Sequence, residues 1–263
     1  MISVLVNGAC GRMGSEVVRS VLAEDGLEMA GAVDPSHAGE DVGTAIGLGK
    51  LDITVDMDLD TAFAKNKPDV VVDFTNPKVI FENAKKVLEA GVHIVIGTTG
   101  LTKEQRAQLE QISLKTGANA LIAPNFSLGA VLLMEMCEKI VKYLPNAEII
   151  ELHHNKKYDA PSGTAKLTAE KMAAARTLSP DEDKTQESIP GARGAKYDGF
   201  AIHSVRLPGY VAHQEVLFGG YGEILTLRHD SLDRKSFMPG VMLACKKVAA
   251  HPGVTYGLEN YLD

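Results

Sequence analysis

Between residues 2 and 127 the chain alternates short, continuous apolar runs with helical patterns, and few folds accept that alternation. The runs cover residues 2–6, 27–33, 70–74, 92–96 and 120–123. Continuous apolarity over so few residues marks a strand buried on both faces. Between the runs, Met13, Val17 and Val21 repeat at helical spacing, as do Gly14, Val18 and Leu22. Ile80, Ala84, Val87 and Leu88 share one face of a helix over 77–90. Thr102 followed by Gln105 has the pattern of a capping box, opening a third helix that Gly117 ends. Parallel strands need crossover connections, which helices of this length provide. The first half therefore predicts a doubly wound parallel α/β sheet.

From residue 128 the pattern changes. A helix is expected over 128–144, with Leu132, Met136, Ile140 and Tyr143 among its apolar positions, and a second over 164–176. Strands are expected over 148–153, 201–207, 211–218 and 223–228. Pro208-Gly209 and the glycine turn at 219–222 are short enough to pair the last three in sequence order. Residues 177–198 are polar and rich in Pro, Gly and charge, and read as a long mobile loop, a candidate lid. A last helix over 233–250 is placed to dock back on the first domain, starting late or bending at Pro239. The expected organisation is a first domain over 1–127, completed by a C-terminal helical segment over 233–263. A second α+β domain with a mixed open sheet spans 128–232.

Composition narrows the partners. An apolar share of 45% against 23% charged residues suits a folded globular chain. With 27 Lys and Arg against 34 Asp and Glu, the net charge is −7, and no long basic run offers the face that nucleic-acid phosphates require. Cys10, Cys137 and Cys245 are far apart and never form a Cys-x-x-Cys pair, which supports neither a disulfide framework nor a thiolate zinc site. No apolar stretch approaches the ~20 residues of a membrane span, and Met1 leads straight into an apolar strand. The chain reads as a soluble cytoplasmic protein with neither a membrane nor a nucleic-acid partner.

Val4-Leu5-Val6-Asn7-Gly8-Ala9-Cys10-Gly11-Arg12-Met13-Gly14 reads as strand, glycine turn and helix, with Gly-x-x-Gly-x-x-Gly spacing. Such a turn brings backbone N–H groups close to a pyrophosphate at a helix start, the Rossmann-like arrangement. A tight turn with no ligand is the plainer alternative. Asp34, closing the second strand 20 residues after Gly14, favours a dinucleotide because its carboxylate can accept from ribose hydroxyls. That carboxylate repels a 2′-phosphate, and Pro35-Ser36-His37 offers no Arg or Lys to neutralise one. NADH is therefore the preferred cofactor, with NADPH possible. Three more strand ends carry turns: Asp73-Phe74-Thr75-Asn76-Pro77, Gly97-Thr98-Thr99-Gly100 and Pro124-Asn125-Phe126-Ser127. Ligands collect beyond the carboxyl ends of such strands, so these turns are expected to line the nicotinamide half.

The stretch from Glu151 to Ala165 packs His153, His154, Lys156 and Lys157 into an otherwise acidic chain, then reaches Pro161-Ser162-Gly163-Thr164, a helix start. Imidazole, ammonium and a helix N-terminus together suit a carboxylate or phosphate. Histidine is also the side chain best poised to transfer a proton near neutrality. A solvated basic strand end is the bland alternative. A metal is disfavoured, because adjacent histidines on a strand point to opposite faces and nothing nearby completes a tetrahedral set. His203, His213 and His229 read as sheet or interface residues, and Cys137 and Cys245 as core helix positions.

In order, Gly8-Ala9-Cys10-Gly11-Arg12-Met13-Gly14, Asp73-Phe74-Thr75, Gly97-Thr98-Thr99-Gly100, Ala123-Pro124-Asn125-Phe126-Ser127 and the stretch from His153 to Ala165 closely resemble the signature set of the dihydrodipicolinate (4-hydroxy-tetrahydrodipicolinate) reductase family, over the whole chain. The resemblance implies nicotinamide-dependent reduction of a cyclic imine dicarboxylate in lysine and diaminopimelate synthesis. Hydride would add to the ring carbon conjugated with the imine, and an acid would protonate the resulting enamine. It implies that the pyrophosphate sits on Gly8, Ala9, Cys10, Gly11, Arg12 and Met13, and the adenosine ribose on Asp34. Phe74, Gly97, Thr98, Thr99, Ala123, Pro124, Asn125 and Phe126 would surround the nicotinamide. His153 would be the acid/base residue and Lys157 the proton donor, with His154, Gly163 and Thr164 on the substrate carboxylates. It further implies a homotetramer built through the second domain's sheet. Bringing these groups to the nicotinamide requires the two domains to close, so a hinge is expected near Ser127 and Asp233. Many relatives carry a basic residue after the position of Asp34, and this sequence does not. Two rivals stand beside it. An acylating semialdehyde dehydrogenase or a homoserine-type dehydrogenase is one, the former requiring a nucleophilic cysteine. An NADH-sensing regulator is the other, and the basic helix-turn-helix usual in such proteins is missing here.

Overall fold

The structure is a computed structural model and describes residues 1–262. The chain divides into two compact units, Met1–Phe126 with the segment from Phe237 onward, and Ser127–Ser236. The first contains β1 (Ile2–Asn7), α1 (Gly14–Ala23), β2 (Leu27–Val33), α2 (Val42–Ala45), β3 (Val55–Asp56), α3 (Leu59–Lys65), β4 (Val70–Asp73), α4 (Ile80–Glu89), β5 (His93–Ile96), α5 (Lys103–Thr116) and β6 (Ala120–Ile122). The second contains α6 (Leu128–Ile140), β7 (Asn146–His153), α7 (Gly163–Ala175), β8 (Ala195–Tyr197), β9 (Phe200–Arg206), β10 (Ala212–Gly220) and β11 (Glu223–Ser231). The chain then returns to the first unit with α8 (Met238–Lys247) and β12 (Val254–Tyr256). Among the described residues no helix is long and apolar enough to cross a membrane.

In the first unit the described residues form a seven-stranded parallel sheet in the order β12-β6-β5-β4-β1-β2-β3. Val4, Val6, Val71, Val72, Ile94 and Ile96 are wholly buried in it, as strands covered on both faces require. The direction of winding reverses between β1 and β4, so the carboxyl ends of those two strands form the switch point where ligands collect. The helical faces read from the sequence pack here. Ile80, Ala84, Val87 and Leu88 of α4 are buried, α5 opens on a complete Thr102–Gln105 capping box, and Gly117 closes it in a left-handed conformation. Val17, Val18 and Val21 of α1 are buried, whereas Leu22 is exposed. The last helix is shorter than 233–250: Arg234–Phe237 form a 3-10 turn and Pro239 lies in the first turn of α8, where its missing N–H leaves no bond unmade.

The second unit is a five-stranded mixed sheet, β11-β10-β7-β9-β8, with α6 and α7 packed on one face through Leu133, Cys137, Ala165, Ala169, Met172, Ile149, Phe200, Ile202, Val216 and Phe218. Three expectations are corrected here. The strands ending at Arg206 and starting at Ala212 do not pair; β7 lies between them, parallel to β9 and antiparallel to β10. The turn at Pro208-Gly209 instead carries the chain past the carboxyl end of β7, where Leu207 N donates to the His153 carbonyl at 3.1 Å. The helix expected over 128–144 ends at Ile140, so Tyr143 lies beyond it and is exposed; the buried side of α6 is Ala130, Val131, Leu133, Met134 and Cys137, with Leu132 exposed, because a helix this apolar all round takes its orientation from the sheet. Residues 177–198 are not a free lid. They contain β8, and Asp181 and Arg193 hold the segment to Asn146 and Glu148 at the amino end of β7. That is the opposite end of the strand from His153.

Gly8 takes a left-handed φ of +83°, and the first turn of α1 comes so close that a Cβ on Gly14 would lie 1.9 Å from the Gly8 carbonyl oxygen. Gly14→Ala must therefore displace the turn. We expect it to cost about 1–3 kcal/mol, read as a lower urea midpoint, and an unchanged midpoint would contradict this packing.

Candidate active site

At the switch point of the first unit, every residue singled out from the sequence for a dinucleotide lies in a turn leaving the carboxyl end of a parallel strand. Gly8 to Met13 follow β1, Asp34 follows β2, Phe74 follows β4, Gly97 to Thr99 follow β5, and Ala123 to Phe126 follow β6. Two carboxylates tie these turns together. Asp34 accepts from Cys10 N at 3.1 Å through Oδ2, and from Ser36 N and Oγ through Oδ1. Asp73, fully buried, accepts from Asn7 Nδ2 (2.8 Å), Asn83 Nδ2 (3.0 Å), Thr75 N and Oγ1, and Thr98 Oγ1 (2.8 Å). The Phe74 ring covers Gly97, where a Cβ would fall 2.0 Å from its Cε1, and stands 5.9 Å from the Phe126 ring. Thr99, Pro124 and Asn125 share these turns.

In the second unit the organising group is Glu151, near the end of β7 and fully buried. His153 Nδ1 lies 2.5 Å from its Oε2, and Arg206 grips both oxygens from β9, Nη2 to Oε1 at 2.7 Å and Nη1 to Oε2 at 3.0 Å. Ser162 N donates to Oε1 at 3.3 Å, and Ser162 Oγ caps α7 by accepting from Ala165 N. Arg206 Nη2 also donates to the Asp159 carbonyl, and the Asp159 carboxylate accepts from Lys157 Nζ at 2.7 Å. His153, Lys157 and the start of α7 at Gly163 and Thr164 are thus joined through Glu151, Arg206 and Asp159. A Cβ built on Gly163 would meet no atom within 4 Å, so the helix start opens onto space. His154 is held locally, its Nδ1 accepting from Lys156 N.

Other candidates find plain partners. His203 pairs with Glu148 (2.8 Å), His213 with Asp230 (2.6 Å) and His229 with Ser127 Oγ (3.1 Å). Burial pushes the Cys10 thiol up to about 11, helped by the Asp34 and Glu40 charges, and raises Cys137 and Cys245 to about 12. None is a thiolate near neutrality, so the chemistry of an acylating dehydrogenase has no nucleophile here. Among the described residues no group of three or more His, Cys, Asp or Glu could hold a metal ion.

Known proteins identify the family. Family models described as dihydrodipicolinate reductase, N-terminus and C-terminus, match residues 2–126 and 129–262. The chain belongs to the dihydrodipicolinate reductase family. A 4-hydroxy-tetrahydrodipicolinate reductase of Moorella thermoacetica is 49% identical over 264 residues, covering 100% of this chain and 98% of its own. One from Listeria welshimeri is 51% identical and covers 100% of both. Among solved structures, a dihydrodipicolinate reductase from Paenisporosarcina sp. TG-14 with dipicolinate bound is 41% identical, with a TM-score of 0.89 and complete coverage of both chains.

Glu151, Asp159 and Arg206 draw no individual role from the sequence, and Asp73 is read there only as part of a turn lining the nicotinamide half. The signal for Glu151 lies in strand parity: it shares the inward face of β7 with buried Ile149. Arg206 gives no such signal, being 55 residues from its partner. Burial pushes the Glu151 carboxyl up, but hydrogen bonds from His153, Arg206 and Ser204 more than offset this and hold it at about 2, against an ordinary 4.5. A carboxyl depressed on folding stabilises above its unfolded value, and that contribution is lost as pH falls from 4.5 towards 2. Glu151→Gln should flatten the decline of melting temperature across that window; a decline as steep as in the wild type would contradict the assignment.

Proposed function

We propose that this chain catalyses the reduction of 4-hydroxy-tetrahydrodipicolinate (dihydrodipicolinate) to tetrahydrodipicolinate in lysine and diaminopimelate biosynthesis, using NADH in preference to NADPH. Family membership supports the reaction. The observation that carries it in this molecule is the hydrogen-bonded assembly at the end of β7, which gathers an imidazole, an ammonium and a helix N-terminus in an acidic protein. That is the chemistry a small dicarboxylate requires. The relative with dipicolinate bound supports the same ligand class.

The residues present fit a dinucleotide. The turn from Gly8 to Met13 stands at a helix start, and the Asp34 carboxylate is held against it through Cys10 N, where ribose hydroxyls would meet it. When bound, the reduced nucleotide supplies the hydride. Phe74, Gly97, Thr98, Thr99, Ala123, Pro124, Asn125 and Phe126 would enclose the nicotinamide and keep water from it. His154, Gly163 and Thr164 would hold the substrate carboxylates. Lys157, kept in place by Asp159, would deliver the proton, and His153 would hold or pass one at Nε2, its Nδ1 being committed to Glu151. The reading includes a cytoplasmic homotetramer formed through the sheet face opposite α6 and α7. There Ile150, Leu152 and Leu217 are partly buried and Ile224 is exposed. Light scattering at four chain masses checks it.

The test is NADH oxidation dependent on freshly generated dihydrodipicolinate; its absence in the purified wild type overturns the reading. Lys157→Ala should lower kcat by about 10²–10⁴-fold with the NADH dissociation constant little changed, whereas parallel loss of NADH binding would make Lys157 structural. A kcat/KM for NADPH equal to or above that for NADH would refute the role given to Asp34.

A further inference from the structure

We propose that Glu151 is a positioning residue for proton transfer. It fixes the His153 imidazole with its proton on Nδ1, leaving Nε2 as the exchanging nitrogen, while Arg206 holds the carboxylate in place from the other side. The inference deepens the proposed function and rests on it for the role of His153.

The placement follows from strand register. Along the inward face of the second sheet, one cross-strand row is Ile202, Ile149 and Val216, wholly apolar and buried. The next is Ser204, Glu151 and Gln214, and the last is Arg206, His153 and Ala212. The face passes from hydrocarbon to charge over two steps, and Glu151 occupies the step between core and site. An ionised carboxylate only accepts hydrogen bonds, so a ring nitrogen 2.5 Å from it must carry the proton. The neutral ring is then an Nε2 base and the charged ring an Nε2–H acid, the two states that a proton relay alternates between. Nε2 has no partner among the described residues.

The carboxylate that orients the ring is itself held from a second strand. Here both carboxylate oxygens are already engaged by the planar fork of Arg206, whose remaining bonds run to the Val205 and Asp159 carbonyls and keep it from swinging away. The charges facing His153 are therefore Glu151 on its own strand, Arg206 on β9 and, beyond Asp159, Lys157 on the connection to α7. The neighbours on β10, Ala212 and Gln214, carry no charge. The same carboxylate takes Ser162 N at the cap of α7, so ring orientation and the position of the helix start are set by one group.

The wild-type enzyme labelled with nitrogen-15 histidine tests this, with His153 assigned by the signal lost in His153→Gln. The neutral ring should show a protonated Nδ1 and a bare Nε2; the opposite tautomer overturns the proposal. Glu151→Gln offers one acceptor oxygen where the carboxylate uses two. It should mix the tautomers and lower kcat about a hundredfold, with KM for NADH within about twofold. Glu151→Asp should recover part of that loss, and a Glu151→Gln enzyme with wild-type kcat overturns the proposal. Should these variants fail to fold, the wild-type tautomer decides. Failure of the assigned reaction would show as an inactive wild type and leave the tautomer readout intact, so the two failures are distinguishable.

Discussion

The buried carboxylate of Glu151 is the constraint on which the second unit depends. Removing a charge from water costs several kcal/mol unless good hydrogen bonds replace the solvent. Here they come from β7 itself, from β9 and from the cap of α7. Each donor belongs to a segment with a different role. His153 carries the proposed proton-transfer role, Ser162 opens the helix, and Arg206 bonds to the connection that carries Lys157. The cost of leaving the carboxylate unpaired forces those segments into one arrangement. Under the proposed function, activity and stability meet at this point, because the acid-labile carboxylate lies beside the residues assigned to proton transfer.

The first unit solves a similar problem without a cation. Asp73 collects its donors from Asn7, Thr75, Asn83 and Thr98, all neutral, and so joins the ends of β1, β4 and β5 with the start of α4. Asp34 does the same for the glycine turn and the end of β2. The turns that a dinucleotide would touch are thereby set by buried polar networks rather than by the loops themselves. Such networks fix a single geometry only when every member is satisfied.

What the sequence makes legible are features repeated locally. The parallel strands show in their Val and Ile runs, α4 and α5 in their spacing and caps, and the glycine turn in its place between strand and helix. The stretch from His153 to Ala165 stands out because its charge opposes that of the chain. What escapes is set by distant partners. Residues 55 apart create the Glu151–Arg206 pair, and no local pattern records it. The strand order of the second sheet defies expectation because a short turn ordinarily means a hairpin, while here Leu207 to Val211 pass over the end of β7. The apolar face of α6 is ambiguous from spacing because its hydrophobic residues surround the helix and only the sheet selects among them. The segment over 177–198 looks free by composition, yet its charges are paired at the amino end of β7.

Under the proposed function, this carboxylate-centred cradle grips a planar dianion. A crystal of the enzyme grown with NADH and pyridine-2,6-dicarboxylate measures it most directly. The expected result is ring carboxylates on the Gly163 and Thr164 amides and on His154, with the Glu151–Arg206 pair intact beneath. A dianion bound away from the connection between β7 and α7, in an enzyme that still turns over, would contradict it.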